Sequence, residues 1–231
     1  MSSEQQQQLD NVFWHALSGA QAHCASGSAK ARRYAPGFSP IVAVPEAERP
    51  DFDALLPLCA PGERFYVAEW SGPAPAGWTI ELEAMMVCMA WAGETPVDDA
   101  APDARQLDAS HAPQSLALAE LTRPGPFGLR TIELGDYFGF FEGERLVAMA
   151  GERSCAGRLR EISGVCTHPD FQGRGMAKRL MLKLIRRQCL RGETPFLHVM
   201  SANAGALALY RKMGFADYRE KVVRVISRSA A

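Results

Sequence analysis

The chain has 231 residues, 47% of them hydrophobic and 22% charged, with 20 Gly and 15 Pro. This composition excludes a collagenous, low-complexity or disordered chain, and a chain of this length buries roughly 70–75% of its extended surface, enough for one large domain or two small ones. A net charge of −1 gives no overall electrostatic reason to expect nucleic acid or an acidic membrane as partner.

Six cysteines, at positions 24, 59, 88, 155, 166 and 189, form no Cys-x-x-Cys and no Cys/His spacing of a metal finger. Reduced, mostly buried thiols are expected, and no metal site. The polar, Gln-rich start lacks the basic and apolar segments of a secretory signal, and the longest apolar run, 84–93, is well short of the ~18–20 residues of a membrane span. These features predict a cytoplasmic protein.

In chain order, the Gln-rich start reads as a frayed tail. Helical periodicity begins at Leu9 and sets Val12, Phe13, Ala16, Leu17 and Ala20 on one face before Ser26-Gly27-Ser28 ends it. An extended stretch at 38–44, a helix-like 52–59 and a strand-like 64–70 precede a Gly-Pro-Ala-Pro-Ala-Gly turn at 72–77, and a second extended run covers 78–91. Residues 94–104 are acidic, carry Pro96 and Pro102 and lack periodicity. They predict a linker over 94–105, between an N-terminal domain of 1–93 and a larger one of 106–231.

Beyond the linker a helix at 112–121 stops short of Pro124, because proline disfavours helix in the residue before it. Strands at 137–142 and 145–152 flank Gly143-Glu144 as a hairpin, and a third runs over 159–167. A long amphipathic helix covers 175–191, a buried strand 196–200, a second helix 203–213 and a last extended segment 218–226. Strands first, then strand and helix alternating, predict an α/β (α+β) fold with a central mixed sheet flanked by helices.

Charge follows the same division. Residues 1–105 hold 6 Lys and Arg against 14 Asp and Glu, and the remainder holds 19 against 12. Arg174, Lys178, Arg179, Lys183, Arg186, Arg187 and Arg191 cluster on and around one helix, with no acidic residue from Gln172 to Gly192. Most of these charges read as a solvated face opposite the Leu180, Met181, Leu184 and Ile185 stripe; some could attract phosphates. An RNA-binding role ranks last, because no aromatic residue is interleaved for base stacking.

The most informative segment runs from Gly164 to Leu180, where an apolar strand ends, a short loop passes, and Gly173 and Gly175 open a helix. Glycines let backbone approach an anion, and the first N–H groups of a helix point outward under the positive end of its dipole. The dinucleotide fingerprint fails, since Lys178 stands where its third glycine belongs, and there is no Gly-Lys-Ser/Thr of a P-loop.

Gln172-x-x-Gly175-x-Ala177 resembles the Gln/Arg-x-x-Gly-x-Gly/Ala signature of the GNAT superfamily of acyl-CoA-dependent N-acyltransferases. Asn203, Ala206, Tyr210, Gly214 and Phe215, with Lys212 between Tyr210 and Gly214, are similar to that family's second cofactor motif, and the resemblance covers about 106–226. It implies acetyl-CoA as acyl donor, no metal, and an amine acceptor, small molecule or peptide, that the sequence does not identify. Backbone groups of Val165, Cys166 and Thr167 would pair with the pantetheine arm. The N–H groups of Gly173, Arg174, Gly175, Met176 and Ala177 would hold the pyrophosphate, and Asn203 would contact the pantetheine or substrate region.

Amine attack on a thioester needs an acceptor for the amine's proton and a donor for the departing thiolate. Tyr210, seven residues from Asn203 and on the same helix face, is the expected donor. With a reference pKa of ~10 against ~8.5 for a thiol, it protonates the sulfur only as the bond breaks. Glu161 is the expected base. Its place eleven residues before Gln172 is similar to that of the catalytic glutamate in histone-type members, and by strand parity it shares a face with Ser163, Val165 and Thr167 unless a bulge intervenes. A strand-end carboxylate paired with Arg158 or Arg160 is the competing reading of Glu161. The order of elements in 1–93 resembles a degenerate partial copy of the same fold, expected to pack on the sheet and shape the acceptor cleft. The competing function is a non-catalytic acyl-CoA-binding regulatory module.

Overall fold

The computed structural model of the protein describes residues 1–229. The Gln-rich start is not frayed but helical (α1, Ser3–Asp10), because Ser2 accepts the Gln5 N–H while the Gln5 side chain accepts the Ser2 N–H, closing a capping box. A second short helix follows (α2, Val12–Ser18) and then three small antiparallel strands, β1 (Ala25–Gly27), β2 (Arg32–Tyr34) and β3 (Val42–Ala43). One turn of helix (α3, Phe52–Leu55) leads to β4 (Arg64–Ala68) and β5 (Trp78–Trp91). The rest of the chain supplies β6 (Arg105–Gln106), α4 (Ala112–Thr122), β7 (Tyr137–Glu142), β8 (Arg145–Ala156), β9 (Leu159–Thr167), α5 (Met176–Leu190), β10 (Thr194–Met200), α6 (Ala204–Met213) and β11 (Phe215–Arg228).

Eight strands form one sheet in the order β4-β11-β5-β10-β9-β8-β7-β6, antiparallel throughout except for β9 beside β10. The division expected at 94–105 therefore falls inside a single sheet. β5 pairs with β10 over Met86–Ala90 and with β11 along its whole length, so strands from both sides of that segment share hydrogen bonds. Alternation along β5 explains its central place: Met86, Cys88 and Ala90 face one layer, Val87 and Met89 the other, and all five are buried. One layer holds α1, α2 and the 34–41 segment through Leu9, Phe13, Leu17, Tyr34 and Phe38. The opposite layer holds α5 through Leu180, Met181, Leu184 and Ile185, all fully buried, and α6 through Leu207.

The acidic 94–104 segment is not a free tether. It lies along the basic face of α5, where Lys183 Nζ meets Asp99 Oδ2 at 2.5 Å, Arg179 pairs with Asp103, and Arg186 Nε donates to the Val97 carbonyl at 3.0 Å. Arg187 and Arg191 are engaged by Asp136. The charge excess of the C-terminal half is thus neutralised largely within the fold, leaving Arg174 and Lys178 at the head of the helix. All six cysteines are free thiols, five of them buried. Among the described residues no helix is long and apolar enough to cross a membrane.

Candidate active site

The site begins with an irregularity in β9. Its register against β8 passes from Gly151↔Ser163 to Met149↔Cys166, so β9 carries one residue more than its partner around Gly164 and Val165. Gly164 has φ +64°, and a Cβ there would lie 3.2 Å from the Tyr137 ring and 3.3 Å from Phe127, which makes glycine the fitting residue. The bulge reverses side-chain parity: Ile162 and Val165 pack into the same cluster under α5. Glu161 therefore does not share a face with Val165 and Thr167, as strict alternation would require.

A second irregularity opens the site. β9 and β10 pair only at Leu159↔Thr194, Arg160↔Pro195 and Glu161↔Phe196, and beyond that point the two strands part. The gap is continuous with a cavity of about 820 Å³. Val165, Cys166 and Thr167 line it from β9, the whole of Gln172, Gly173, Arg174, Gly175, Met176 and Ala177 lines its head, and Asn203, Ala206 and Tyr210 line it from α6. Lys212 is exposed and does not line it, and neither does Glu161.

The head of the cavity is built from the two glycines. Gly173 and Gly175 have φ of +77° and +73°, and a Cβ on either would meet no atom within 4 Å. α5 has no side-chain cap and no acidic residue in its first turn, so its leading N–H groups are left to an outside acceptor. Arg174 lies over the Phe171 ring at 4.7 Å. This is a cradle of amides and cations that fits a diphosphate.

On α6, the Asn203 side chain accepts the Ala206 N–H at 3.1 Å, so this residue caps the helix as well as lining the cavity. Tyr210 packs against Phe215, ring centroids 6.2 Å apart, and burial pushes its phenol up to about 12. It is a proton donor throughout the neutral range.

Glu161 is fully buried rather than at an exposed strand end, and its partners are neither Arg158 nor Arg160. Arg153 grips it with two bonds, Nε to Oε2 at 3.0 Å and Nη2 to Oε1 at 2.7 Å, and His198 Nδ1 stands 2.8 Å from Oε1. Burial alone would raise its carboxyl pKa, but the Arg153 charge and the His198 and Arg153 bonds outweigh burial and hold it well below the ordinary carboxylate range. A carboxylate so stabilised, and outside the cavity wall, is not placed to take a proton from an amine. His198, which periodicity alone did not single out, does line the cavity; its one sequence signal is a polar residue amid the apolar Phe-Leu-His-Val-Met of β10.

The N-terminal half closes the far end, where Phe13, Ile41, Tyr66, Val67 and Ala68 join Met86 in the wall. No Asp or Glu among the described residues lines the cavity, whereas Arg123, Arg153, Arg174 and Lys178 do.

Known proteins resemble this chain in sequence and in fold. The sequence profile of the FR47-like protein family matches residues 137–225, from β7 into β11. The N-alpha-acetyltransferase RimI of Mycobacterium tuberculosis is 39% identical over 83 residues, 34% of this chain and 51% of its own, so the match spans about half the length of that relative. A GCN5-related N-acetyltransferase-like protein from Streptococcus suis, 15% identical with a TM-score of 0.60 over 94% of this chain and 92% of its own, shares the fold. A GNAT-family crystal structure from Novosphingobium aromaticivorans is 35% identical over 96% of this chain and 99% of its own, with a TM-score of 0.86. End-to-end similarity at that identity, on a sheet parted beside a glycine-headed helix, establishes that the chain belongs to the GNAT family.

Proposed function

We propose that the protein is an N-acetyltransferase that moves an acetyl group from acetyl-CoA to a primary amine by direct attack, with no covalent enzyme intermediate. The observation that carries this reading is one continuous cavity from the amides at the head of α5, through the gap between β9 and β10, to the wall supplied by the N-terminal half. Acetyl-CoA, when bound, supplies a thioester as the activated acyl group. Gly173, Arg174, Gly175, Met176 and Ala177 would hold its diphosphate by backbone amides, with Gln172 at the turn and Arg174 and Lys178 adding charge. Val165, Cys166 and Thr167 offer strand backbone to the pantetheine, which Asn203 and Ala206 flank from α6. Tyr210 hydrogen-bonds to the sulfur and protonates it as the carbon–sulfur bond breaks, a role its raised pKa suits.

The acceptor end selects by exclusion. Phe13, Ile41, Tyr66 and Met86 offer apolar surface, and a wall without carboxylates gives no partner to a second positive charge. An amine on an apolar body, including the N-terminal amine of a peptide with an apolar first residue, fits better than a polyamine. The 39% identity to an N-alpha-acetyltransferase supports the peptide case. Calorimetry with coenzyme A, followed by thiol release from acetyl-CoA with a panel of apolar monoamines, short peptides and a polyamine, tests the reading. Binding of coenzyme A with turnover on the apolar amines is expected. No binding heat would end the proposal, and binding with no turnover on any amine would leave a regulatory acyl-CoA-binding module in its place.

A further inference from the structure

We propose that His198 is the catalytic residue that takes the proton from the attacking amine through Nε2, and that Glu161 and Arg153 are positioning residues that fix its ring and tautomer. The inference rests on the acetyl-transfer reading above.

The tautomer follows from the partners. An ionised carboxylate only accepts hydrogen bonds, so the contact of 2.8 Å between His198 Nδ1 and Glu161 Oε1 puts the proton on Nδ1 and leaves the lone pair of a neutral ring on Nε2. Nε2 is buried and has no hydrogen-bond partner in the protein, although His198 lines the cavity. A buried acceptor left without a partner beside a cavity asks for a donor from outside the chain. Its place fits an acyl-transfer site. Glu161 is the last residue of β9 paired with β10, opposite Phe196, so His198 stands two residues into the gap, where the strands have begun to part. The ring is held on two sides by Phe13 and Phe196, at centroid distances of 5.4 and 5.7 Å. The two bonds from Arg153 keep the carboxylate from turning away.

Elimination points the same way. The other cavity-lining side chains with an exchangeable proton are the phenols of Tyr66 and Tyr210, the Cys166 thiol, the guanidinium groups of Arg123, Arg153 and Arg174 and the Lys178 ammonium. None offers a basic lone pair. The groups that face the imidazole are Glu161 from β9, Arg153 from β8, Lys221 from β11 and Cys88, its cross-strand partner on β5. Burial pushes the Cys88 thiol up to about 12, so it adds no charge. Burial likewise pushes His198 below its ordinary 6.5, aided by Lys221 and Arg153, against the opposing pull of Glu161. The ring therefore rests neutral, and when it gains a proton the Glu161 carboxylate stabilises the imidazolium.

In the balance of the step, the amine nitrogen gains the acyl carbon and yields one proton to Nε2. The sulfur leaves with the bonding pair and takes one proton from Tyr210. Solvent then takes a proton from the imidazolium and returns one to the phenolate.

The test uses the full chain. His198→Asn keeps a donor near the Nδ1 position for Glu161 but has no lone pair at Nε2. It is expected to lower kcat by 100-fold or more, to leave coenzyme A affinity within twofold by calorimetry, and to abolish an acid limb that wild-type kcat shows below pH ~6.5. Nitrogen-15 imidazole spectra of the ligand-free wild type at pH 7 should show a neutral ring with Nδ1 protonated. His198→Gln, read in the same way, serves if the asparagine variant does not fold. Turnover within threefold of wild type in a folded variant, or spectra with a proton on Nε2, would overturn the assignment while coenzyme A still binds. Failure of the wild type to bind coenzyme A would instead sink the acetyl-transfer reading itself, and this role with it.

Discussion

Lys183, in the middle of α5, places its ammonium 2.5 Å from the Asp99 carboxylate and 3.1 Å from the Ala101 carbonyl, above the Phe138 ring at 5.0 Å. A helix with a strongly cationic face is thereby strapped to an acidic segment 84 residues earlier in the chain. The positive charge of α5 is committed to the fold, which narrows what coenzyme A can draw on to Arg174 and Lys178. Burial favours the neutral carboxyl of Asp99, but the bond from Lys183 outweighs it and lowers the pKa. The stabilisation is thus present above the unfolded carboxylate value and lost as pH falls. Asp99→Asn should cost about 1 kcal/mol in chemical denaturation at pH 7, since Lys183 is nearly buried while Asp99 is partly exposed. Coenzyme A affinity should not change, because the strap lies away from the cavity.

The glycine cradle predicts the reverse pattern. Gly173 has a left-handed backbone, but a Cβ there meets nothing in the protein within 4 Å. Gly173→Ala should therefore cost only the backbone strain, about 1 kcal/mol. The new methyl group intrudes on whatever approaches the amides, so coenzyme A affinity should fall tenfold or more by calorimetry. Equal affinity in the alanine variant would argue against diphosphate binding at this turn.

Much of this was legible from local signals. Gly143-Glu144 marked the β7–β8 hairpin, the apolar stripe of Leu180 to Ile185 marked the buried face of α5, and the run 78–91 coincides with β5. What local pattern could not carry was partnership. Nothing in Trp78–Trp91 indicates that it will pair between β10 and β11, because strand neighbours are chosen by long-range packing; a composition break at 94–105 thus looked like a domain boundary. The basic helix and the acidic segment were each visible, but not that they meet. Glu161 was singled out by its offset from Gln172, yet its role depends on Arg153 and His198, brought from two other strands, and on a bulge at Gly164 that reversed the expected faces.

Tyr210 allows a test of the donor role that does not disturb the fold. The ring packs against Phe215 and its hydroxyl is not needed for that contact, so Tyr210→Phe should keep stability within about 0.5 kcal/mol. It should lower kcat by roughly 10–100-fold with coenzyme A affinity unchanged. Because burial raises the phenol to about 12, wild-type turnover should show no alkaline loss from this group until pH approaches that value. A phenylalanine variant with full kcat would remove Tyr210 from the reaction.

The buried Arg153–Glu161–His198 group also governs stability, and its His198 part has the opposite sign to a histidine in an exposed ion pair. Glu161 titrates lower in the folded state than in the unfolded chain, so its contribution is complete above the unfolded value near ~4.3 and declines as pH falls below it. His198 is also lowered, chiefly by burial. Below its ordinary 6.5 the unfolded chain binds a proton that the folded chain refuses, and stability drops as the solution is acidified. Thermal melts should therefore be level from neutral pH down to about 6.5 and decline in two stages below it. His198→Asn should remove the upper stage and leave the lower one. Glu161→Gln should shrink the lower stage, leaving the part that Asp99 supplies, and, at pH 7, cost about 3 kcal/mol, because Arg153 is left as a buried charge without its counterion. A Tm that rises on acidification through pH 6.5 would mean that the imidazole gains a proton on folding, and the neutral ring required of a proton acceptor would be lost.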